Sequence, residues 1–359
     1  MNRYLLAGAS ALALLGAASA ANAQFTVTFT GDSWVEAGYT SIDGNPAGED
    51  RHFDFTQRGR FNLIATQKSD NGLEYGVRFR VRLGPAGGNG LDHDKNFIFL
   101  RGAFGEVNFG TQSGVFEQWW PSFNSGTGLA DGNYFDYVPG AALPGSARTV
   151  FQGVYAGEHE ANRTRLSYFS PRIAGFQAGV SYVPTTNGTT GRGRSFEFNG
   201  NSAGFQDVFQ LGGSYDGTFG AVRARAAVTY AFGSAQDGFE DLSVWQGFAR
   251  ADVGGFGVLG MVNYVGESGL ANGVEGDAYT WVVGGEYTFG AFTAGASFTR
   301  LEDEAAAVEH TNIWSVGLTY TVAPGLTLRP EYHYIQAEDD FAGNDDTANV
   351  FIVRTQVNF

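Results

Sequence analysis

The final residues of the chain alternate between apolar and polar side chains, which is the pattern of a β-strand with two different faces. One face of residues 350–359 carries Phe351, Val353, Thr355, Val357 and Phe359. The opposite face carries Ile352, Arg354, Gln356 and Asn358. Because successive side chains in a strand point to opposite sides, this stretch predicts a strand that is apolar outside and largely polar inside.

Similar strand-like stretches recur along the chain and predict sixteen strands. They lie at residues 25–39, 57–68, 73–83, 95–103, 106–111, 163–170, 174–183, 206–216, 221–232, 242–252, 256–266, 278–288, 291–301, 311–321, 326–337 and 348–359. Short gaps with turn-forming residues lie at 69–72, 104–105, 171–173, 216–220, 254–255, 289–290 and 322–325. Longer polar gaps lie between them. An even number of strands with tight turns at one rim and long loops at the other is typical of a bacterial transmembrane β-barrel.

Aromatic residues recur at the short-turn ends of the predicted strands. They are Phe25, Phe104, Phe176, Phe219, Phe256, Phe289, Phe292, Tyr320 and Phe359. Large rings are favoured at the boundary between hydrocarbon and headgroups, so these positions predict an aromatic girdle at the periplasmic rim.

Composition supports a large antiparallel β structure. Of 359 residues, 53 are Gly and 31 are Phe, and charged residues make up only 16%. No Cys is present, which excludes disulfides and thiolate metal sites. Mean hydropathy is slightly negative, and no run of 18 apolar residues follows the N-terminal region. These features exclude a helical membrane protein but suit a barrel, whose apolar residues occupy alternate positions.

The N-terminal region predicts a secretory signal peptide at residues 1–23. Arg3 precedes an apolar stretch over residues 4–18, and small residues end at Ala23, so cleavage is expected before Gln24. Its removal takes away one arginine and no acid, changing the formal charge from −15 to −16. This negative charge makes nucleic acid an improbable partner. The mature unit is predicted to span residues 24–359 and to reside in the outer membrane of a Gram-negative cell.

Two segments resemble general porins of the alphaproteobacterial type. Residues 165–182 (RLSYFSPRIAGFQAGVSY) are similar to the sixth and seventh strands of that family, and residues 97–112 (FIFLRGAFGEVNFGTQ) to the fourth and fifth. The terminal strand, with its final Phe359, also resembles the closing strand of outer-membrane barrels. The resemblance implies an all-β, 16-stranded, trimeric, water-filled barrel whose third long loop folds inward.

The longest gap, residues 113–162, is the candidate for this constriction loop. Its aromatic residues include Phe116, Trp119 and Trp120, which provide apolar surface for packing against an inner wall. Its acidic residues include Glu117, Asp131 and Asp136, which we expect to project into the lumen. Long loops in compact proteins are usually functional or disordered, and the aromatic content favours order.

Arginines at every second position predict a cationic face on several strands. The predicted pore-lining arginines are Arg58, Arg60, Arg78, Arg80, Arg82, Arg163, Arg165 and Arg354. Arg223 and Arg225 repeat the pattern. Apolar residues at the intervening positions indicate that the arginines face the lumen, since arginine facing lipid near the midplane costs about 2–4 kcal/mol. Opposed to acids on the loop, they would create a transverse field at the constriction.

The sequence gives little support to the hypothesis that the protein is an enzyme. The five histidines, His52, His93, His159, His310 and His333, are scattered, and neither a nucleophile elbow nor a His-Glu-x-x-His zinc pattern occurs. We therefore predict no catalysis and no bound cofactor. Outer-membrane proteases and lipases are the enzymatic alternative, although they resemble shorter barrels.

The predicted function is a channel for passive diffusion of small hydrophilic solutes and ions. A porin selective for sugars or anions is the first alternative. The expected partners are outer-membrane lipid and lipopolysaccharide, with the barrel forming a homotrimer. Acidic stretches at residues 302–304 and at 338–340 with 345–346 either share divalent cations with lipopolysaccharide, brace the trimer, or are solvated loop tips.

Overall fold

The structure is a computed structural model that describes residues 25–43, 52–83, 92–120, 162–186, 204–306, 310–339 and 344–359. Within these ranges sixteen strands form one closed antiparallel barrel, in which each strand pairs with the next and the last pairs with the first. The strands are β1 (Thr26–Asp43), β2 (Phe53–Lys68), β3 (Glu74–Leu83), β4 (Asp92–Gly102), β5 (Gly105–Gln112), β6 (Arg163–Phe169), β7 (Phe176–Thr185), β8 (Gln206–Phe219), β9 (Val222–Ser234), β10 (Leu242–Val253), β11 (Phe256–Gly266), β12 (Ala278–Phe289), β13 (Phe292–Asp303), β14 (His310–Ala323), β15 (Leu326–Asp339) and β16 (Asn344–Asn358). The predicted fold class and strand number are confirmed.

The seam between β1 and β16 closes the barrel through the C-terminal residue. Gly31 and Phe359 exchange two backbone hydrogen bonds of 2.7 and 2.9 Å. The Phe359 ring stacks on Phe29 at a centroid distance of 6.0 Å and is 58% exposed on the outer surface. Ile352 and Arg354 on the same strand are buried on the opposite face. The two faces of the terminal strand therefore differ as the alternation predicts.

Tight turns join the strands at one rim and are surrounded by aromatic rings. The turn between β10 and β11 consists of Gly254 (φ 55°) and Gly255 (φ 89°), a pair of positive φ angles that glycine adopts without strain. Phe289 and Phe292 stack on each other, and Phe292 stacks on Tyr320 at 4.7 Å. Phe289 and Phe292 are exposed, and these rings on neighbouring strands lie next to the short turns, where the girdle is predicted.

The ends of two strands, β8 and β13, lie beyond the sequence-based expectation. The predicted turn at residues 216–220 is shorter, because Asp216 still pairs with Arg225 and β8 continues to Phe219. β13 runs to Asp303, so Glu302 and Asp303 belong to a strand and not to a loop tip. Glu302 forms an ion pair at 3.0 Å with Arg300, which lies two residues earlier on the same face of β13. Local pairing and charge matching extend both strands beyond the predicted ends.

One short helix, α1 (Val115–Trp119), follows β5 in the described part of the chain. Among the described residues, no helix is long and apolar enough to cross a membrane. The predicted signal peptide lies outside the described residues. So do Asp131, Asp136 and most of the predicted loop at residues 113–162, of which the described residues are 113–120 and 162.

Candidate pore-lining site

The inner face of the barrel is identified by alternating exposure along each strand. On β10, Trp245 is 51% exposed, whereas its neighbours Val244 and Gln246 are buried, as are Phe248 and Arg250. The same alternation places Arg165 of β6 and Arg354 of β16 on the inner face, and the arginines of β2 and β3 are placed there by their contacts with Asp32, Asn62 and Asp94. The inner side of the barrel has a charged wall on β16 and β1–β4 and an apolar wall on β9–β12. The helix α1 lies inside the barrel against the apolar wall.

On β1 and β2, the cations of the charged wall pair with a carboxylate of the adjacent strand. Arg60 Nε donates to Asp32 Oδ1 at 3.1 Å, and Arg58 Nη2 donates to Asp32 Oδ2 at 3.4 Å. Asp32 lies on β1 opposite Arg60 on β2, so the strand register itself brings the charges together. Two guanidinium groups therefore share one carboxylate.

The closing seam carries the most deeply buried ion pair of the charged wall. Arg354 Nε donates to Glu36 Oε1 at 2.5 Å, and both side chains are 1% exposed. Glu36 also accepts a hydrogen bond from Thr56 on β2. The guanidinium groups of Arg354 and Arg58 lie 4.9 and 5.2 Å from the Trp34 ring centroid, within the range of cation–π attraction. This cluster connects three strands across the seam.

A β-bulge on β4 supplies the carboxylate for β3. The β3–β4 register shifts between Arg80 and Val81, which pair with Lys95 and His93 and leave Asp94 as the extra residue. Arg80 Nε and Nη2 donate to the two oxygens of Asp94 at 2.6 Å each, and Arg82 Nε contacts Asp94 Oδ2 at 2.5 Å. The bulge allows two consecutive residues, Asp94 and Lys95, to direct their side chains to the inner face.

Arg78 differs from its neighbours in having a neutral partner. Its Nε and Nη2 donate to Asn62 Oδ1 at 3.2 and 2.9 Å. Among the described residues, no carboxylate lies within ion-pair distance of Arg78. The positive charges of Arg80, Arg101 and Arg60 act on it, together with the negative charge of Asp94, which lies beyond contact distance. Arg78 is therefore a cation of the charged wall that no contacting carboxylate offsets.

Arg163 and Arg165 lie on β6, which begins directly after the end of the predicted loop. Arg165 is buried, and its Nη1 donates to Gln210 Oε1 at 3.0 Å and to Ser181 Oγ at 3.5 Å. Arg163 lies opposite Gln112 on β5 and is partly buried. Arg165 is thus held within the wall by hydrogen bonds to β7 and β8.

The α1 helix packs on the inner faces of β7–β12. Phe116 is buried against Phe248 of β10, with ring centroids 5.7 Å apart, and Trp120 contacts Phe248 at 5.5 Å. The apolar wall beneath them comprises Ala227, Phe248, Leu259, Met261 and Val282. The backbone N–H of Val115 donates to Gln210 Oε1 at 3.0 Å, and Trp119 Nε1 donates to Gln177 Oε1 at 3.1 Å. Apolar packing and two hydrogen bonds hold α1 inside the barrel.

Lys95 connects the charged wall with the start of α1. Its Nζ donates to Ser113 Oγ at 2.7 Å and lies 4.0 Å from Glu117 Oε1. Ser113 in turn donates to Asn162 Oδ1 at 3.0 Å. Lys95 therefore contacts Ser113, two residues before α1, and Ser113 joins the two ends of the predicted loop.

A second charged group lies on β9–β12, toward the short-turn rim. Arg225 contacts Asp252 at 3.1 Å, Asp252 also accepts from Arg250, and Arg250 donates to Glu286. Among the described residues, no group of three or more His, Asp or Glu side chains is arranged to hold a metal ion. The inner face is thus charged at two places and apolar where α1 packs.

The structure places the eight predicted arginines and Glu117 on the inner face or on α1, and leaves Asp131 and Asp136 outside the described residues. Sequence reasoning missed the carboxylates of Asp32, Glu36 and Asp94 as the partners of the arginines. Asp32 and Glu36 occupy even positions of β1, so their alternation with Ser33 and Val35 was a signal for the inner face. Asp94 carried no such signal, because the bulge interrupts the alternation.

Comparison with known proteins gives one family and a consistent fold. A family model described as Gram-negative porin matches residues 8–351. The anion-selective porin from Comamonas acidovorans is 16% identical, with 93% of this chain and 100% of that chain covered and a TM-score of 0.66. In-vitro folded OmpT of Vibrio cholerae, in its trimer form, is 14% identical (93% and 99% covered, TM-score 0.62). The outer membrane channel DcaP of Acinetobacter baumannii is 14% identical (93% and 97% covered, TM-score 0.64). A search among curated proteins finds no match.

Proposed function

The chain belongs to the Gram-negative porin family and forms an outer-membrane channel for passive diffusion, and we propose that it admits small hydrophilic solutes and ions without selecting one substrate. The observation that carries this proposal is the pairing of the charged wall. Its arginines are largely offset by carboxylates of neighbouring strands, so they form a hydrated polar surface in place of a row of free cations. Such a surface favours water and small polar solutes without binding one of them tightly.

The proposed conducting path passes between the charged wall and α1. Arg58, Arg60, Arg78, Arg80 and Arg82 would border it on one side. Glu117 would border it on the other, together with Asp131 and Asp136 if the undescribed part of the loop projects inward as the sequence predicts. Arg163, Arg165 and Arg354 would support the wall. The contact of Lys95 with Ser113 and Glu117 supports this arrangement, because it brings the two sides within reach of each other.

Selectivity for anions is the second candidate, and Arg78 favours it. A guanidinium group without a contacting carboxylate attracts anions more strongly than one in an ion pair. Saturable block of the current by one class of solute would support the selective porin. Smooth dependence of permeation on solute size would support general diffusion. Single-channel recording in a planar bilayer, with the reversal potential measured in a salt gradient, distinguishes the two.

The proposal includes the oligomeric state of the barrel and the removal of its N-terminal segment. We infer a homotrimer surrounded by lipid and lipopolysaccharide, as the trimer form of the similar Vibrio cholerae protein suggests. A mass measurement in mild detergent that finds only monomers would contradict it. Residues 1–23 are proposed to be removed as a signal peptide, which N-terminal sequencing of the outer-membrane protein tests. The proposed activity is transport without catalysis, and the alternative of a barrel hydrolase predicts turnover of ester or peptide substrates by the pure protein.

A further inference from the structure

Two glycines on the inner face lie directly beneath α1. Gly179 of β7 and Gly212 of β8 form a pair in the barrel register, so they face α1 from adjacent strands. A methyl group at Gly179 would lie 2.8 Å from Val115 Cγ1 and 2.9 Å from Trp119 Cη2 and Cζ2. A methyl group at Gly212 would lie 3.0 Å from Trp119 Cζ3. Carbon atoms pack at about 3.5–4.0 Å, so both positions exclude any side chain while α1 stays where it is.

The Trp119 side chain that lies over the two glycines is held by a hydrogen bond and a ring contact. Its Nε1 donates to Gln177 Oε1 at 3.1 Å, and its ring meets Phe169 edge-on at a centroid distance of 5.8 Å. Gln177 is held in turn, because its Nε2 donates to the carbonyl oxygen of Ser170 at 2.9 Å and its Oε1 accepts from Arg172 at 2.8 Å. The indole therefore has a defined orientation, with its six-membered ring edge against the two glycines.

We propose that Gly179 and Gly212 are positioning residues that form a seat for α1 and thereby set the open width of the channel. The inference rests on the proposed function, in which α1 borders the conducting path. The two glycines allow α1 to lie directly on the wall. A methyl group added at either glycine would push α1 toward the pore axis. The shift needed to relieve a 2.8 Å contact is about 1 Å. A narrower path then carries less current.

Gly179 gives the sharper test of the two. The three atoms nearest to its added methyl group all belong to side chains of α1. At Gly212 the methyl group would also approach Thr229 Cγ2 and the carbonyl oxygen of Val228, so a substitution there would disturb the β8–β9 pairing as well. Gly213 provides the matched control. It follows Gly212 on β8 and faces outward, and no atom lies within 4 Å of a methyl group added there.

The experiment compares single-channel conductance of the full-length protein with those of Gly179→Ala and Gly213→Ala, after folding is checked by heat-modifiable mobility. We expect a lower conductance and a smaller size limit for sugars in liposome swelling for Gly179→Ala, and no change for Gly213→Ala. Adding both Val115→Ala and Trp119→Phe to Gly179→Ala removes the three side-chain atoms that the methyl group meets, so conductance should recover toward the wild-type value.

The possible results distinguish failure of the proposed glycine seat from failure of the proposed diffusion function. A folded Gly179→Ala barrel with wild-type conductance overturns the seat, and so does a reduced conductance that the added Val115→Ala and Trp119→Phe substitutions fail to restore. An increased conductance would show that α1 leaves the wall instead of shifting along the pore radius, and also overturns it. If the wild type itself forms no channels, the proposed diffusion function fails first.

Discussion

The inner wall of this barrel has two halves that are stabilised in different ways. On β16 and β1–β4, polar side chains pair with one another across neighbouring strands, as in the contact of Arg354 with Glu36 and the sharing of Asp94 by Arg80 and Arg82. On β9–β12, Ala227, Phe248 and Leu259 present an apolar surface that is covered by Phe116 and Trp120. The charged half pairs most of its charges within the wall, with Arg78 bonded to neutral Asn62, whereas the apolar half requires α1 to cover it.

This difference explains why α1 lies on one side of the lumen. A helix carrying Phe116, Trp119 and Trp120 gains roughly 1.5–3 kcal/mol for each large side chain that it buries. The apolar half offers that gain, and the charged half would require desolvation of its ion pairs. Among the described residues, α1 therefore covers the apolar side of the lumen, and Lys95 of the charged side contacts Ser113 and lies 4.0 Å from Glu117.

The largest expected effect comes from breaking the buried pair at the seam. Glu36→Leu leaves the Arg354 guanidinium buried without its carboxylate, and we expect a loss of about 3–5 kcal/mol of stability. The temperature at which the barrel loses its compact form in detergent should fall accordingly. The double variant Glu36→Leu with Arg354→Met should recover most of the loss, because neither charge is then buried alone. Equal heat resistance of wild type and single variant would contradict the role of this pair.

Much of this architecture follows from the sequence, and the exceptions have physical causes. The sixteen strands, and the inward direction of their arginines, follow from apolar and polar side chains that alternate at every second position. This alternation can be seen in each local stretch of sequence. The partners of those arginines depend on strand register, which pairs Asp32 with Arg60 and is not encoded at either position alone. The bulge at Asp94 moves that residue to the inner face against its alternation. Glu117 was expected to oppose the arginines, but its described cationic contact is Lys95 on the bulged strand.

The apolar half is tested by Phe116→Ala. Phe116 is 1% exposed, so its loss should weaken docking of α1 by about 1.5–3 kcal/mol while the strand pairing stays intact. We expect greater noise in the open-channel current and a smaller change in heat resistance than in Glu36→Leu. Phe116→Leu, which retains most of the apolar volume, serves as the control. A quiet, wild-type current in Phe116→Ala would show that Trp119 and the hydrogen bonds of α1 suffice to hold it.

Neutralising the shared carboxylate of the charged half should alter ion selectivity. Asp94→Asn releases Arg80 and Arg82 from their ion pairs and raises the local charge by one unit. At an effective dielectric of about 20, a unit charge acts on an ion about 8 Å away by roughly 2 kcal/mol, so the reversal potential in a low-salt gradient should shift toward anions. High salt should reduce the shift by screening. If the shift has the opposite sign, these side chains do not border the conducting path.

Neutralising the wall arginines should shift selectivity the other way. The combined change of Arg78, Arg80 and Arg82 to Gln is expected to favour cations, because it also leaves Asp94 without its partners. Replacing Asp131 and Asp136 by Asn should favour anions if these residues project from the loop. Reversal potentials of folded variants in a low-salt gradient measure both effects. Unchanged values in both sets would place the constriction elsewhere in the lumen.

The smallest expected effect distinguishes two arginines of one strand. Arg78 lies in the middle of β3 with neutral Asn62 as its hydrogen-bond partner, whereas Arg82 lies one residue from the strand end and its side chain is 44% exposed. Solvent and salt screen an exposed charge more strongly than a partly buried one. Arg78→Gln should therefore shift the reversal potential toward cations more than Arg82→Gln, after which the bidentate pair of Arg80 with Asp94 remains intact. An equal or larger shift for Arg82→Gln would mean that ions are selected at the outer mouth of the barrel and not beside α1.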